Sequence, residues 1–245
     1  MKSIIPNSLT ALNLFCGCIA VLSFLSGEHL LGIVFVFISA TADFFDGFVA
    51  RLLNVQSELG KQLDSLADMV SFGFVPGVIV YKALSGNIDL NGNYLSQIID
   101  QHYLPLLGFI ITVFSGFRLA KFNIDTRQSN SFIGLPTPAN TLFFLTIPLI
   151  WISENPGDWV YELTLNKPLL VVLTVLFSYL LIAEIPLLAL KFKGFKIQEN
   201  IYRYALLLLG IFGVLTLKHL SIPVILILYL LVSVLENITK RKEKN

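Results

Sequence analysis

Long apolar runs separated by short polar breaks dominate this chain from one end to the other. A membrane-crossing helix needs about 20 mostly apolar residues, and fewer where the bilayer is thin. On that measure the hydropathy pattern predicts eight helices: Leu9–Leu25, Leu30–Val49, Leu66–Leu84, Leu104–Ala120, Ala139–Ser153, Leu169–Leu190, Ile201–Leu217 and Ile222–Ile238. The last two, joined across Lys218–Ser221, read as a hairpin. The expected fold class is all-α, a polytopic integral membrane helical bundle. Between Ser85 and Tyr103 the pattern breaks into a polar, turn-rich connector with two Asn-Gly pairs and no chemistry of its own.

Composition agrees with a membrane protein. Of 245 residues, 55% are hydrophobic and only 13% charged, and the mean hydropathy is +0.77. A net charge of +1 with no basic face gives nucleic acid no surface to bind. The two cysteines, Cys16 and Cys18, are two apart in an apolar helix and face different ways, so they read as packing residues rather than a disulfide or metal pair. The first apolar run follows Lys2 and Pro6 without a convincing small-residue cleavage site, and reads as a helix that is kept. With the N-terminus in the cytoplasm, the eight-helix topology puts 14 of the 17 Lys and Arg residues on the cytoplasmic side and 3, Lys82, Lys167 and Lys218, outside. The expected location is the cell's inner membrane, with the cytoplasmic ends of helices two and three carrying whatever chemistry they hold.

Those ends are where the acids are. Asp43 and Asp46 close the second apolar run and Asp64 and Asp68 open the third, at spacings of three and four that put each pair on one helix face. Four neighbouring carboxylates at membrane depth repel one another and lose hydration, and intramembrane acids point to function. A divalent cation relieves both costs. Carboxylate oxygens suit Mg²⁺, Mn²⁺ or Ca²⁺, and the absence of His and Cys from the stretch argues against zinc. Gly47 and Ala50 leave space along the face of Asp43, and Arg51 offers a fork for phosphate. The residues themselves point to metal ions and a phosphate-bearing substrate.

The spacing Asp-x2-Asp-Gly-x2-Ala-Arg-x8-Gly-x3-Asp-x3-Asp, filled by Asp43, Asp46, Gly47, Ala50, Arg51, Gly60, Asp64 and Asp68, resembles the signature of the CDP-alcohol phosphatidyltransferases. Three further segments resemble the serine-accepting branch of that family. They are Asn13-Leu-Phe-Cys-Gly17, Ser71-Phe-Gly-Phe-Val-Pro76, and Phe117-Arg-Leu-Ala-Lys-Phe-Asn123 followed by Gly134-Leu-Pro-Thr-Pro-Ala139. The resemblance covers residues 4 to 150; beyond them only hydropathy matches. It implies a six-helix core within residues 1–190, with residues 191–245 adding a transmembrane hairpin and a basic tail. It implies transfer of a phosphatidyl group from CDP-diacylglycerol to L-serine, with CMP released, and pairing as a homodimer. Two divalent cations would sit on Asp43, Asp46, Asp64 and Asp68, with Asp68, one turn beyond Asp64, as the general base. Thr10, Asn13, Asp43, Gly47, Ala50, Arg51 and Gly60 would meet the nucleotide. Arg118, Lys121, Asn123, Pro136 and Thr137 would meet the serine or the lipid phosphate.

Read from the residues alone, several of these have a second reading. Thr10 and Asn13 share a helix face and would equally serve as interhelical hydrogen-bond partners. Arg118 and Lys121 would equally be membrane-interface anchors. The segment 130–140 is either an ordered loop dipping toward the site or the start of a helix at Thr137-Pro138. His29, His102 and His219 fall on external ends, away from the acids. Glu184, expected inside the sixth helix, would reach the site, pair with a base such as Lys191, or face a second copy of the chain. The tail Lys240–Lys244 suits anionic lipid. Rival readings are the same chemistry on glycerol 3-phosphate or an inositol phosphate, a carboxylate-lined cation transporter, and a scaffold. Transport is disfavoured because the acid motif has no repeat in the second half, and a scaffold because all four acids are intact.

Overall fold

The protein is seen here in a computed structural model that describes residues 3–86, 103–125, 132–188, 201–217 and 220–242. The turn-rich connector, the first residues of the segment 130–140, His102, His219, Lys191 and the end of the basic tail lie outside the described residues.

Helices make up nearly all of the described structure. They are α1 (Ile4–Ser26), α2 (His29–Leu52), α3 (Glu58–Asp68), α4 (Val75–Ser85), α5 (Phe109–Ile124), α6 (Thr137–Ser153), α7 (Trp159–Leu165), α8 (Lys167–Ile182), α9 (Ile201–Leu217) and α10 (Ser221–Lys242). Four rods are long and apolar enough to cross a membrane: α1, α2, the continuous Glu58–Ser85, and Leu104–Ile124, which adds a 3₁₀ turn ahead of α5. A fifth is added if α7 and α8, bent by 67° at Asn166, count as one span. Thr137–Ser153, Arg203–Leu217 and Ser221–Glu236 are apolar but shorter.

Three features depart from the hydropathy reading. The third helix starts at Glu58 rather than Leu66, because Ser57 caps it by accepting from the Gly60 N–H at 3.1 Å. Polar residues thereby extend the rod beyond its apolar run. The sixth helix ends at Ile182 rather than Leu190. Its chain then turns extended, and Pro186–Leu187 pairs antiparallel with Phe132–Ile133, a short β-ladder among described residues that are otherwise mostly helical. The stretch after Ser153, which the hydropathy pattern leaves between two helices, folds into the short helix α7, tied back by Trp151 Nε1–H donating to Thr164 Oγ1 at 2.8 Å.

The core lies where α4 is wrapped by α1, α5, α6 and α8. Val75, Val78, Ile79, Val80 and Leu84 are buried with Phe24, Ile111, Phe144, Phe177 and Leu181. Phe143 and Phe177 stack with ring centres 3.9 Å apart. The α4 rod and the 3₁₀ turn ahead of α5 meet backbone to backbone at two glycines: a Cβ on Gly108 would lie 2.7 Å from Gly77 O and 2.8 Å from Tyr81 N. Gly108→Ala therefore forces the rods apart, and overpacking of this kind costs about 1–3 kcal/mol. The expected outcome is a fall of several degrees in the thermal midpoint of the detergent-solubilised protein; an unchanged midpoint would contradict the close packing.

At the other end of the chain, α10 docks on the segment after the β-ladder. The Leu188 N–H donates to Ser233 Oγ at 3.1 Å and Tyr229 OH donates to Leu188 O at 3.0 Å. Leu226 joins the main core, and Arg203 of α9 and Glu236 of α10 approach to 3.9 Å as a buried pair.

Candidate active site

α1, α2 and α3 bring the acids together. One carboxylate oxygen from each of Asp43, Asp64 and Asp68 lies within 4.8 Å of the others, and all three side chains are half-buried. Asp46 stands beside this trio rather than in it. It is 5% exposed and accepts from Thr10 Oγ1 at 2.5 Å. The expected group of four is thus three converging carboxylates and one turned to α1, because Thr10 reaches across and holds it. Three oxygen donors on two helices, with no ion pair to Lys or Arg among the described residues, form a hard, negatively charged set that fits a divalent cation of the Mg²⁺, Mn²⁺ or Ca²⁺ kind.

Asn13 is the hub behind the acids. Fully buried, it donates from Nδ2 to Asp68 Oδ1 at 3.4 Å. Its own Oδ1 accepts from Ser39 Oγ of α2, and its backbone carbonyl accepts from Ser39 and Ser71, each at 3.1 Å. Thr10 and Asn13, which the sequence left between nucleotide contact and interhelical bonding, make bonds between helices, and those bonds end on the acids themselves. Gly17 lets α1 come this close, since a Cβ there would run into Ser71.

Ser71 belongs to a feature absent from the hydropathy pattern. Between α3 and α4 the helix widens into a π-turn over Met69–Phe74, directly after Asp68. The visible signal was Pro76. A proline in a helix lacks an N–H and its ring strikes the carbonyl four residues back, here Phe72 O. Widening the turn relieves that clash, and Val75 N–H bonds Val70 O, five residues back.

The residues expected to meet the nucleotide lie around the C-terminal end of α2 and the start of α3. Arg51 is exposed in the last turn of α2, and its guanidinium folds back along Gly47, where an added Cβ would lie 3.5 Å from Nη1. Ala50 is half-buried, and its carbonyl accepts from Val55 N–H at 3.0 Å. Gly60, beside Asn7, gives its N–H to the Ser57 cap.

On the opposite side, Arg118 of α5 is 8% exposed, donates to Thr137 Oγ1 at 3.4 Å and lies 5.1 Å from the centre of the Phe122 ring. With Lys121, Ile133, Leu181, Ile182 and Ala183 it lines a small cleft. Lys121 Nζ meets Glu184 Oε1 at 2.9 Å, so Glu184, on the extended segment after α8, has Lys121 as a partner. Asn123 instead ties α5 to α3, donating to Ser65 Oγ at 2.8 Å while its carbonyl accepts from Lys61 at 2.8 Å. Pro136 and Thr137 start α6, and the residues before them form a strap. Gly134, with φ +77, gives its N–H to Ile185 O at 3.0 Å, and Leu135 N–H bonds Leu180 O at 2.9 Å. A Cβ at Gly134 would lie 2.7 Å from Leu181 O, so only glycine fits. The strap both starts a helix and closes one wall of the Arg118 cleft.

The model of the CDP-alcohol phosphatidyltransferase family matches residues 3–182. This chain belongs to that family. Its curated relatives include a CDP-diacylglycerol–serine O-phosphatidyltransferase of Bacillus subtilis, 32% identical over 78% of this chain and 91% of that protein. One of Helicobacter pylori strain J99 is 34% identical over 59% of this chain and 57% of its own length. An archaetidylserine synthase of Methanothermobacter thermautotrophicus is 29% identical over 58% of each chain. The chain thus spans nearly all of the Bacillus protein and little more than half of the other two. As a member of this family, with four or more candidate spans, the protein is a membrane-embedded transferase of phospholipid synthesis.

Proposed function

We propose that this enzyme transfers the phosphatidyl group of CDP-diacylglycerol to the hydroxyl of L-serine, releasing CMP. The observation that carries this reading is the convergence of Asp43, Asp64 and Asp68 at one point between two helices. The activity for which the relatives are named supplies the acceptor.

Asp43, Asp64 and Asp68, with Asp46 beside them, would hold two divalent ions. When bound, those ions supply positive charge that screens the diphosphate and stabilises the leaving phosphate. The remaining work falls to the chain. Asp68 takes the proton from the serine hydroxyl, whose oxygen forms a bond to the phosphorus bearing the diacylglycerol. The bond from that phosphorus to the bridging oxygen breaks, and CMP leaves with the electron pair. Asn13 orients the Asp68 carboxylate through its 3.4 Å contact, and Thr10 fixes Asp46. Arg51, Gly47, Ala50 and Gly60 frame the nucleotide. Arg118 receives the serine carboxylate or the lipid phosphate, with Thr137 orienting its guanidinium.

The pairing of Lys121 with Glu184 favours serine over a phosphorylated acceptor. It offsets one of the two cations at the Arg118 cleft, leaving a site better matched to a single carboxylate than to a phosphate dianion. The acceptor panel tests this. CMP release from CDP-diacylglycerol is expected to be at least about tenfold faster with L-serine than with glycerol 3-phosphate or inositol 1-phosphate, a discrimination that one matched polar group readily supplies. Faster release with either phosphate would overturn the serine assignment while leaving the transferase reading intact. The cytoplasm-facing site in an inner membrane, the two short C-terminal helices as a crossing hairpin, and a homodimer complete the proposal. The distribution of Lys and Arg supports the first.

A further inference from the structure

We propose that Thr112 and Thr141 are positioning residues for the acid site: their hydroxyls hold the π-turn Met69–Phe74 open, and that turn sets the direction in which Asp64 and Asp68 face.

The geometry of the rod makes the turn consequential. In an unbroken α-helix Asp68 and Val75, seven residues apart, would lie on one stripe, and so would Asp64 and Ser71. A π-turn holds about one extra residue, which rotates the N-terminal half of the rod by roughly 100° against the C-terminal half. The C-terminal half cannot rotate: Val75, Val78, Ile79, Val80 and Leu84 are locked in the core. The N-terminal half carries Asp64 and Asp68 and is open to solvent along Lys61 and Gln62. The width of the turn therefore decides whether those two acids look toward Asp43 on α2 or away from it.

Both carbonyls at the end of the turn are held from outside the rod. Thr112 Oγ1 of α5 donates to Gly73 O at 3.1 Å. Thr141 Oγ1 of α6, 1% exposed, donates to Phe72 O at 2.8 Å and shares that proton with Thr137 O at 2.9 Å. Phe72 O is the carbonyl that Pro76 leaves without its α-helical donor. Gly73 brings the turn against α5, where an added Cβ would lie 3.0 Å from Ser115 Cβ. Neither threonine is part of the acid trio; each acts through the backbone of the turn.

This inference rests on the reading that Asp64 and Asp68 are metal ligands, and the test separates the two. The full-length protein in lipid nanodiscs is titrated with Mn²⁺ alone, and free Mn²⁺ is followed by its electron paramagnetic resonance signal. Thr141→Val and Thr112→Val each keep the shape and remove the hydroxyl, and each is expected to weaken Mn²⁺ binding about threefold to tenfold, the double variant at least about tenfold. Thr→Ser at either position, which keeps the donor, is expected to restore wild-type binding. Wild-type Mn²⁺ affinity in either folded Val variant overturns the proposal, even where its thermal midpoint falls, since lost stability alone would then be the effect. Should the double variant fail to fold, the two single variants decide. No Mn²⁺ binding by the wild-type protein would sink the metal-site reading instead.

Discussion

Replacing Asp68 with asparagine is expected to leave a folded enzyme that still takes up CDP-diacylglycerol and releases CMP at least about a hundredfold more slowly. The substitution preserves shape and keeps an oxygen to accept from Asn13 Nδ2, so the bond to α1 survives. What is lost is a site able to take a proton, together with one of the trio's charged oxygens, and general-base catalysis alone is worth about 10²–10⁴ in rate. Asp68 is the trio member that carries a hydrogen bond from a buried amide, that of Asn13. The measurement is CMP release at saturating serine, alongside lipid binding by the same preparation. Turnover within a few-fold of wild type would remove Asp68 as the base.

An Asp43→Asn substitution is expected to act earlier, at metal binding. Asp43 is the only α2 carboxylate in the trio, so it is the link that makes one site of two helices. With it neutral, the pocket keeps two like-charged groups four apart on α3 and loses its ligand from across the gap. Mn²⁺ affinity should fall by about a hundredfold or more, on the scale of removing a charged ligand from an all-carboxylate site, and CMP release should become dependent on millimolar added ion. A chelator should abolish activity in the wild-type enzyme, and Mg²⁺ or Mn²⁺ should restore it. If Asp43→Asn binds Mn²⁺ as tightly as wild type, the trio is not the metal site.

The acids were legible in the sequence because their spacing is local: three and four residues on a helix fix a face whatever the tertiary fold. The rods were legible for the same reason, since a long apolar run stays apolar wherever it packs. What escaped was long-range or a matter of backbone phase. Lys121 and Glu184 meet across 63 positions, and nothing in either segment names the other. The early end of α8 hid inside an apolar run, because Leu187 and Leu188 are buried in a strand-like strap as readily as in a helix. The role of Asn13 was visible only as two alternatives, and the fold places its amide on Asp68 itself. The π-turn left a signal, Pro76 in mid-helix, but hydropathy averages over such a residue and reports no rotation.

The unequal lengths of neighbouring rods bear on the lipid around the protein. Glu58–Ser85 is 28 residues long and α6, packed against it, only 17. At 1.5 Å per residue that is about 42 Å beside about 25 Å, against a hydrocarbon layer of about 30 Å. The excess of the long rod is its polar start, Glu58 to Ser65 with Lys61, Gln62 and Asp64, and its apolar run from Leu66 to Leu84 is about 28 Å, close to the hydrocarbon layer. A rod seated by its apolar run keeps that polar start at headgroup level, with Asp64 in it and Asp68 one turn further in. A substrate whose reactive diphosphate sits in that region would then meet the acids at its own depth, with no need to be lifted out of the membrane.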